Sequence, residues 1–515
     1  MRSALGIRQA LIGTALAALF ATGSAGLALA QNKGGSVTLG VEQDIAGFDP
    51  LMVGVYDTGQ IAVAALIFDT LTRIDDKGEV VPRLALSWKA SEDLKTWVFK
   101  LRPGVAFQDG TPFNAQAVVS NYERMQDPKN RCRCAIYIAN IAKVEAQDEL
   151  TAAFHLRAPA AGFPGIVAPA TVTNVLHSPK AMSAAAEGQY NRNPVGTGAF
   201  RLKSWASGDR LVVERNPGHW NKDRVNLDQV VIRPLPDGPA RYASLVAGET
   251  DVIWHDNADD IVKAKKNKAI AVYQYVGSGA TVYAMNTKKP PFDDLRVRQA
   301  IRHAIDMQAF ADTLFNGLWK PAKDPYGPGS WVKCANTRPL AYDPEKAKQL
   351  LKDYGKPVAF KVTVTATPRG RAVGQVFQEF WRAVGIHAEL NQIDQTTLVT
   401  KAFTREFDIT PWRIIDLADP DPQMYANFKT GSPVNLSGYS DPEVDKLLEE
   451  ARASGDQAKR SAMYCTIAQR VNEQVQWFWT LENNYYTLAK PELKGLPKQR
   501  SDEIDLAAAW WDKKK

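Results

Sequence analysis

Apolar and polar positions alternate from Trp97 to Arg102, with Trp97, Phe99 and Leu101 on one face and Val98, Lys100 and Arg102 on the other. A period of two with one apolar face predicts a half-buried strand. Pro103-Gly104 turns the chain, and Asp109-Gly110 turns it again after the short apolar piece Val105–Phe107. The period then becomes helical. Val118, Tyr122 and Met125 share a side, and Asn114 is placed to cap the first turn by accepting a free backbone N–H. The same reading predicts a strand over 36–44, a helix from about Asp57 to Leu71, and strands over 201–205, 210–216 and 230–235. A helix over 239–248 ends at Gly248, and 251–254 reads as a buried strand. Asp293 or Asp294 caps a helix whose positions Val297, Ala300, Ile301, Ala304 and Ile305 face inward. A strand over 360–367, a helix over 371–384 and a strand over 387–393 make a βαβ unit. A strand from Phe407 to Thr410 and surface helices at Pro442–Ala453 and Ser461–Gln474 complete an α/β pattern.

The N-terminus adds an export signal. Arg2 and Arg8 precede an uncharged run from Ala10 to Leu29 that ends in Ala28-Leu29-Ala30, which reads as a secretory leader cut before Gln31. The run approaches the ~20 residues of a membrane span, but Gly13, Gly23 and Gly26 among many alanines make it weakly hydrophobic. No cysteine near the cleavage site offers a lipid anchor, so the expected location is the periplasm, untethered. Removing residues 1–30 leaves 485, enough for two or three cores. The net charge of +7 falls to +5 without Arg2 and Arg8, and its Lys and Arg are interspersed with acidic residues, which argues against a nucleic-acid partner. Lys263–Lys268 reads as a solvated helix face and Lys513–Lys515 as a tail. Four cysteines in an oxidising compartment favour pairing. Cys132 and Cys134 would point the same way in a strand, so joining them needs a strained ring. A metal site is the alternative for this C-x-C, although the six scattered histidines supply no second pair of ligands.

The segment Trp97–Met125 closely resembles the signature region of the extracellular solute-binding proteins, family 5, the peptide- and nickel-type receptors of ABC importers. Further residues carry the likeness. Asn193-Pro194-Val195-Gly196-Thr197-Gly198-Ala199-Phe200 resembles the family's G-T-G-P-F/Y segment with Ala199 in place of proline, and Asn216-Pro217-Gly218-His219-Trp220 resembles its N-x-x-Y/W element. Asn286-Thr287 and Pro291-Phe292-Asp293-Asp294-Leu295-Arg296-Val297-Arg298-Gln299-Ala300 follow another family segment almost letter for letter. The resemblance implies a two-lobed periplasmic binding protein of type II, in the large cluster with an extra inserted subdomain and a two-strand hinge. On that reading, residues 1–30 are the leader, 31–68 begin lobe I, 69–194 are inserted, 195–281 continue lobe I, 282–487 form lobe II and 488–515 return. The crossings that make the hinge fall near 281–287 and 480–490, and closure on a ligand between the lobes follows. A Cys334–Cys465 disulfide in lobe II is also implied.

The same resemblance points to a ligand site at Trp412–Pro422. In peptide-binding relatives, such a segment supplies a carboxylate for the ligand's α-amino group and an aromatic wall. Carried over, these are Asp416 and Trp412, with Asp419 as a rival because one extra residue separates the tryptophan from Asp416. Asp419-Pro420-Asp421-Pro422 is also a good turn by itself, and Trp412 equally suits a core. Arg369, Arg371 and Arg413 are candidates for a ligand carboxylate, since a guanidinium grips one with two parallel bonds. Arg369 and Arg371 fall in the loop 367–371 of the βαβ unit, where open α/β lobes place ligand groups; solvated loop arginines are the competing reading. Val53–Tyr56 correspond to a pocket-lining segment in relatives, and Tyr56 offers a ring and a hydroxyl, or simply packs.

The expected activity is capture and delivery of a short peptide or peptide-like solute to an inner-membrane permease with its ATPases, by a monomer without a cofactor. Opines, amines, glutathione, oligosaccharides and metal chelates remain alternative solutes, a nickel chelate being disfavoured by the lack of clustered histidine. A periplasmic hydrolase is the enzyme alternative. No G-x-S-x-G, H-E-x-x-H or phosphate loop occurs, and Gly277-Ser278-Gly279 lacks the spacing of a nucleophile elbow.

Overall fold

The computed structural model describes residues 33–53, 58–75, 77–169, 171–186, 188–496 and 504–512. The leader and Tyr56 lie outside the described residues. β1 (Ser36–Val41) leads through the helix Thr58–Ile67 into a separate layer. There β2 (Thr72–Ile74) and β3 (Val80–Pro82) form a hairpin. β4 (Ala85–Ala90), β5 (Thr96–Leu101), β6 (Ile141–Asp148) and β7 (Thr151–Leu156) form an antiparallel sheet in the order β4-β5-β7-β6. The helix Ala115–Gln126 covers this sheet with Val118, Tyr122 and Met125 buried, and Asn114 caps it by accepting from Ala117 N–H at 2.9 Å.

The chain then returns with β8 (Phe200–Ala206), β9 (Arg210–Arg215), β10 (Gln229–Pro234) and β11 (Val252–His255). β12 (Ala271–Met285), β13 (Ala359–Thr365), β14 (His387–Ile393), β15 (Ile409–Arg413) and β16 (Trp477–Ala489) follow. One ten-stranded sheet runs β14-β13-β15-β12-β16-β11-β1-β10-β9-β8 and serves both lobes. β12 and β16 are the two strands that cross. Ala271–Tyr275 lie opposite Ala489–Tyr485 beside β11, and Val282–Ala284 lie opposite Trp479–Trp477 beside β15. Between these halves the register slips, at Val276–Ala280 and again before Val282. The irregularity on β12 thus begins before the 281–287 expected for the crossing. Glycines inside a strand mark such irregularities, and here the crowding is explicit: a Cβ on Gly279 would stand 2.0 Å from the Ile414 carbonyl oxygen.

Glycine also explains the Gly196-Thr197-Gly198 segment, where a Cβ at either glycine would fall 2.3–2.4 Å from backbone atoms of Leu66 and Ile67 at the end of the first helix. Thr197 Oγ1 and Trp220 Nε1 each donate to Asp69 Oδ2 at 3.0 Å, and Arg83 Nε donates to Oδ1 at 2.5 Å. Burial opposes ionisation of Asp69, but Arg83 and His219 outweigh it and hold the carboxyl well below its usual range. Two of the family-like segments thus build a buried polar knot beneath the first lobe.

Several expected boundaries shift, and the state of the C-x-C pair, left open by the sequence, is given by the structure. The helix expected at 371–384 spans Pro368–Arg382, because Pro368 suits the first helical position and Thr367 Oγ1 accepts from Gly370 N–H at 3.0 Å. The strand expected at Phe407–Thr410 spans Ile409–Arg413 and so contains Trp412 and Arg413. Cys132 and Cys134 are bonded to each other, in a turn and not in a strand. Cys334 and Cys465 are bonded as expected, tying a long lobe II loop to the helix Gln457–Gln474. Asp294 is the cap of the helix Leu295–His303, and Val297, Ala300, Ile301, Ala304 and Ile305 are all buried.

Candidate functional site

A cavity of about 1070 Å³ lies between the lobes. Its lobe I wall comprises the β2–β3 hairpin, Trp88, Trp97, the segment 161–169, Arg224 and Asp505. From the crossing strand β12 come Tyr275, just before the register slip, and Ser278 within it; the lobe II wall comprises the loop 328–333, residues 416–419, Gln457 and Arg460. The lobes touch beside it. Ala161 N–H donates to the Arg452 carbonyl at 3.1 Å, and Gly162 and Gly165 lie against Asp419 and Ala418.

Asp416 faces this cavity and is held by the crossing strands. Its Oδ1 accepts from Gly279 N–H at 2.6 Å, Ser278 Oγ–H at 3.3 Å and Asn483 Nδ2–H at 3.4 Å. Gly277 makes room for it, since a Cβ there would lie 2.4 Å from Oδ1. Gly327 and Gly329 N–H bond to the Ser278 and Gly277 carbonyls at 2.9 and 3.0 Å, so the loop 327–330 is stitched to the same bulge. A carboxylate is thereby fixed beside the crossing strands β12 and β16, three residues beyond the end of β15.

The neighbouring Asp419 is in the wall but engaged. It is buried, and its oxygens accept from Arg460 Nη2 and Nη1 at 2.5 and 2.7 Å while Oδ1 also accepts from Asp421 N–H at 2.9 Å. Burial works against the Arg460 charge, but Asp419 raises that group above its ordinary value. Asp421 pairs in turn with Arg452, whose guanidinium lies 3.5 Å from the Tyr425 ring centroid. These paired charges stiffen the segment that carries Asp416.

The other sequence candidates lie elsewhere. Trp412 is a β15 residue opposite Val282, edge-on to Phe403 at 5.7 Å and packed on lobe II, outside the cavity. Arg413 lies opposite Thr281 in the same strand and does not line the cavity. Arg369 sits in the first turn of Pro368–Arg382, where Nη1 donates to Asp256 at 2.7 Å and the guanidinium stands 5.0 Å from the Phe315 ring centroid. Arg371 is exposed two residues further along the same helix. The aromatic walls are instead Trp88, Trp97, Tyr275 and Trp331, and the cationic wall residues include Arg73, Arg83 and Arg224. Only one of these features left a local signal. Gly277-Ser278-Gly279 inside a strand pattern marks a bulge or a close backbone approach, whereas Arg73 in Thr72-Arg73-Ile74 looks like any short-strand residue. Among the described residues no group of three or more His, Cys, Asp or Glu could hold a metal ion, and no helix is long and apolar enough to cross a membrane.

Similarity to known proteins agrees with this geometry. The chain is 30% identical over 456 residues to the glutathione-binding protein GsiB of Shigella dysenteriae, covering 86% of this chain and 88% of that protein. It is 28% identical over 463 residues to the di/tripeptide-binding protein 1 of Pseudomonas aeruginosa, covering 84% and 86%. In structure it matches the ABC transporter-associated periplasmic binding protein DppA of Helicobacter pylori, solved with the peptide STSA, at a TM-score of 0.83 and 24% identity over 94% of this chain and 99% of the other. The fold is that of the two-lobed type II periplasmic binding proteins. The family model described as bacterial extracellular solute-binding proteins, family 5 Middle, matches residues 79–435. The chain therefore belongs to family 5 of the bacterial extracellular solute-binding proteins, a family of substrate-binding receptors.

Proposed function

We propose that this chain is a periplasmic receptor of an ABC importer that closes on a short peptide or peptide-like solute and holds its amine at Asp416. The observation that carries the reading is an inter-lobe cavity of about 1070 Å³ with an anchored carboxylate at the crossing strands. An ion pair formed there is shielded from water when the lobes shut, which strengthens it well beyond a surface pair. The aromatic residues Trp88, Trp97, Tyr275 and Trp331 suit the side chains of a peptide, and the names of the similar proteins favour peptides and glutathione. Export with removal of the leader near Ala30, release of the solute unchanged, and delivery to a permease with its ATPases complete the proposal.

The test is mass spectrometry of whatever co-purifies with the protein, followed by calorimetry with that compound and its N-acetylated form. Blocking the amine is expected to abolish most of the affinity, and Asp416→Asn to weaken the free-amine compound alone. Equal affinity for the free and acetylated compounds removes Asp416 from the role, and turnover of the compound removes the receptor reading.

A further inference from the structure

Arg73 lines the cavity from lobe I and, among the described residues, makes no ion pair. On the short strand β2, Thr72 is buried and donates to the Pro164 carbonyl at 2.6 Å, while Arg73 projects to the accessible side that lines the cavity. Two more arginines stand near it and both are paired: Arg83 with Asp69 at 2.5 Å and Arg224 with Asp505 at 2.5 Å. Among the described residues no carboxylate lies within ion-pair distance of the Arg73 guanidinium. The nearest candidates are engaged, Asp505 by Arg224 and Asp75 by the backbone N–H groups of Lys77 and Glu79 at 2.9 Å. Burial, and then the positive charges of Arg224 and Arg83, lower the pKa of Arg73 from its ordinary value. The guanidinium remains charged, and an anion brought beside it relieves that repulsion.

We propose that Arg73 receives a carboxylate of the solute, so that the receptor selects peptides or peptide-like molecules with a free carboxyl end; this rests on the amine-at-Asp416 reading. The two charges then sit on opposite lobes. Lobe II holds the amine, lobe I holds the carboxylate, and a solute with both ends free bridges the cleft and favours closure. A planar guanidinium presents paired donors that match a carboxylate. Loss of one such charge-assisted contact weakens binding by about ten- to hundredfold.

The test uses trialanine and glutathione as probes, each as the free acid and with its C-terminal carboxyl amidated, against the parent, Arg73→Gln and Arg73→Lys in calorimetry. For whichever probe binds the parent, amidation is expected to weaken binding by about tenfold or more. Arg73→Gln should lose a similar factor for the free acid and nothing further for the amide, and Arg73→Lys should recover part of the loss. If Arg73→Gln discriminates acid from amide as the parent does, Arg73 is not the carboxylate site, even though the amine dependence through Asp416 stands. If neither probe binds the parent, the peptide reading falls and this assignment with it.

Discussion

Gly162 is expected to set how closely the lobes approach at Asp419. Gly162 begins the short helix Phe163–Ile166 with φ −88° and ψ 11°, a backbone that alanine adopts without strain. An added Cβ, however, would stand 2.2 Å from Asp419 Cγ and 2.3 Å from Oδ2. Carbon contacts relax only near 3.5–4.0 Å, so one group must retreat by more than about 1 Å. Asp419 cannot do so cheaply, because both its oxygens are bonded to Arg460 in a buried site. Overpacking of this kind costs about 1–3 kcal/mol. The clash joins residue 162 of one lobe to residue 419 of the other, so the cost falls on the closed state alone. Gly162→Ala should therefore weaken solute binding by roughly 5- to 150-fold while the melting temperature of the solute-free protein stays near that of the parent. Calorimetry with the co-purifying solute and small-angle scattering with and without it would read both effects. Gly165→Ala supplies a graded control, since its Cβ would meet Ala418 Cβ at 3.1 Å, a contact that a small shift relieves. Parent-like affinity in Gly162→Ala would refute the closed arrangement at this contact.

Asp324 should make stability pH-dependent. Burial pushes its carboxyl up to about 6, against the hydrogen bond from Tyr326 N–H, so the folded state holds this proton more tightly than the unfolded chain does. The native state then loses stability as pH rises from about 4 through about 6, by on the order of 2–3 kcal/mol. Asp324→Asn should unfold at higher denaturant than the parent near pH 7 and match it near pH 4; an equal gap at both values would rule out the charge as the cause. The Cys334–Cys465 bridge closes a chain separation of 131 residues. Replacing both cysteines with serine should cost up to about 5 kcal/mol in guanidinium unfolding, and a double variant as stable as the oxidised parent would overturn that assignment of stability. Gly279→Ala should destabilise the fold by at least about 1–3 kcal/mol, because its Cβ would face a backbone oxygen that no rotamer change can move; unchanged melting would show that the crossing strand yields easily.

Much of the fold was legible because its determinants are local. Asn114 and Asp294 cap helices through atoms two or three residues away, and Gly248 ends a helix by taking a positive φ of 81°. Period and turn chemistry report such features directly. Errors arose where a boundary depended on partners remote in the chain. The strand at Ile409–Arg413 runs on past Thr410 because Val282 and Thr281 of β12 are there to pair with it, through a proline that would otherwise argue for a stop. The irregularity on β12 falls where Asp416 and Ile414 crowd Gly277 and Gly279.

Of the residues that line the cavity, the sequence singled out Asp416 and Asp419, both in lobe II. Asp416 stood out through its place in a recognisable segment, but the arginines expected with it were chosen for nearness in sequence, and Arg369 turns toward Asp256 instead. Of the cations that line the cavity, Arg73, Arg83 and Arg224 come from β2, from the residue after β3 and from residue 224, separate stretches whose meeting is a product of topology. Charge type alone could not single out Arg73, since Arg83 and Arg224 have the same chemistry and differ only in having carboxylates beside them. What separates a binding arginine from a structural one is whether its counter-ion is already supplied by the fold. That property belongs to the packed chain, and it is why Arg73 is proposed from the structure whereas Asp416 was proposed from the sequence.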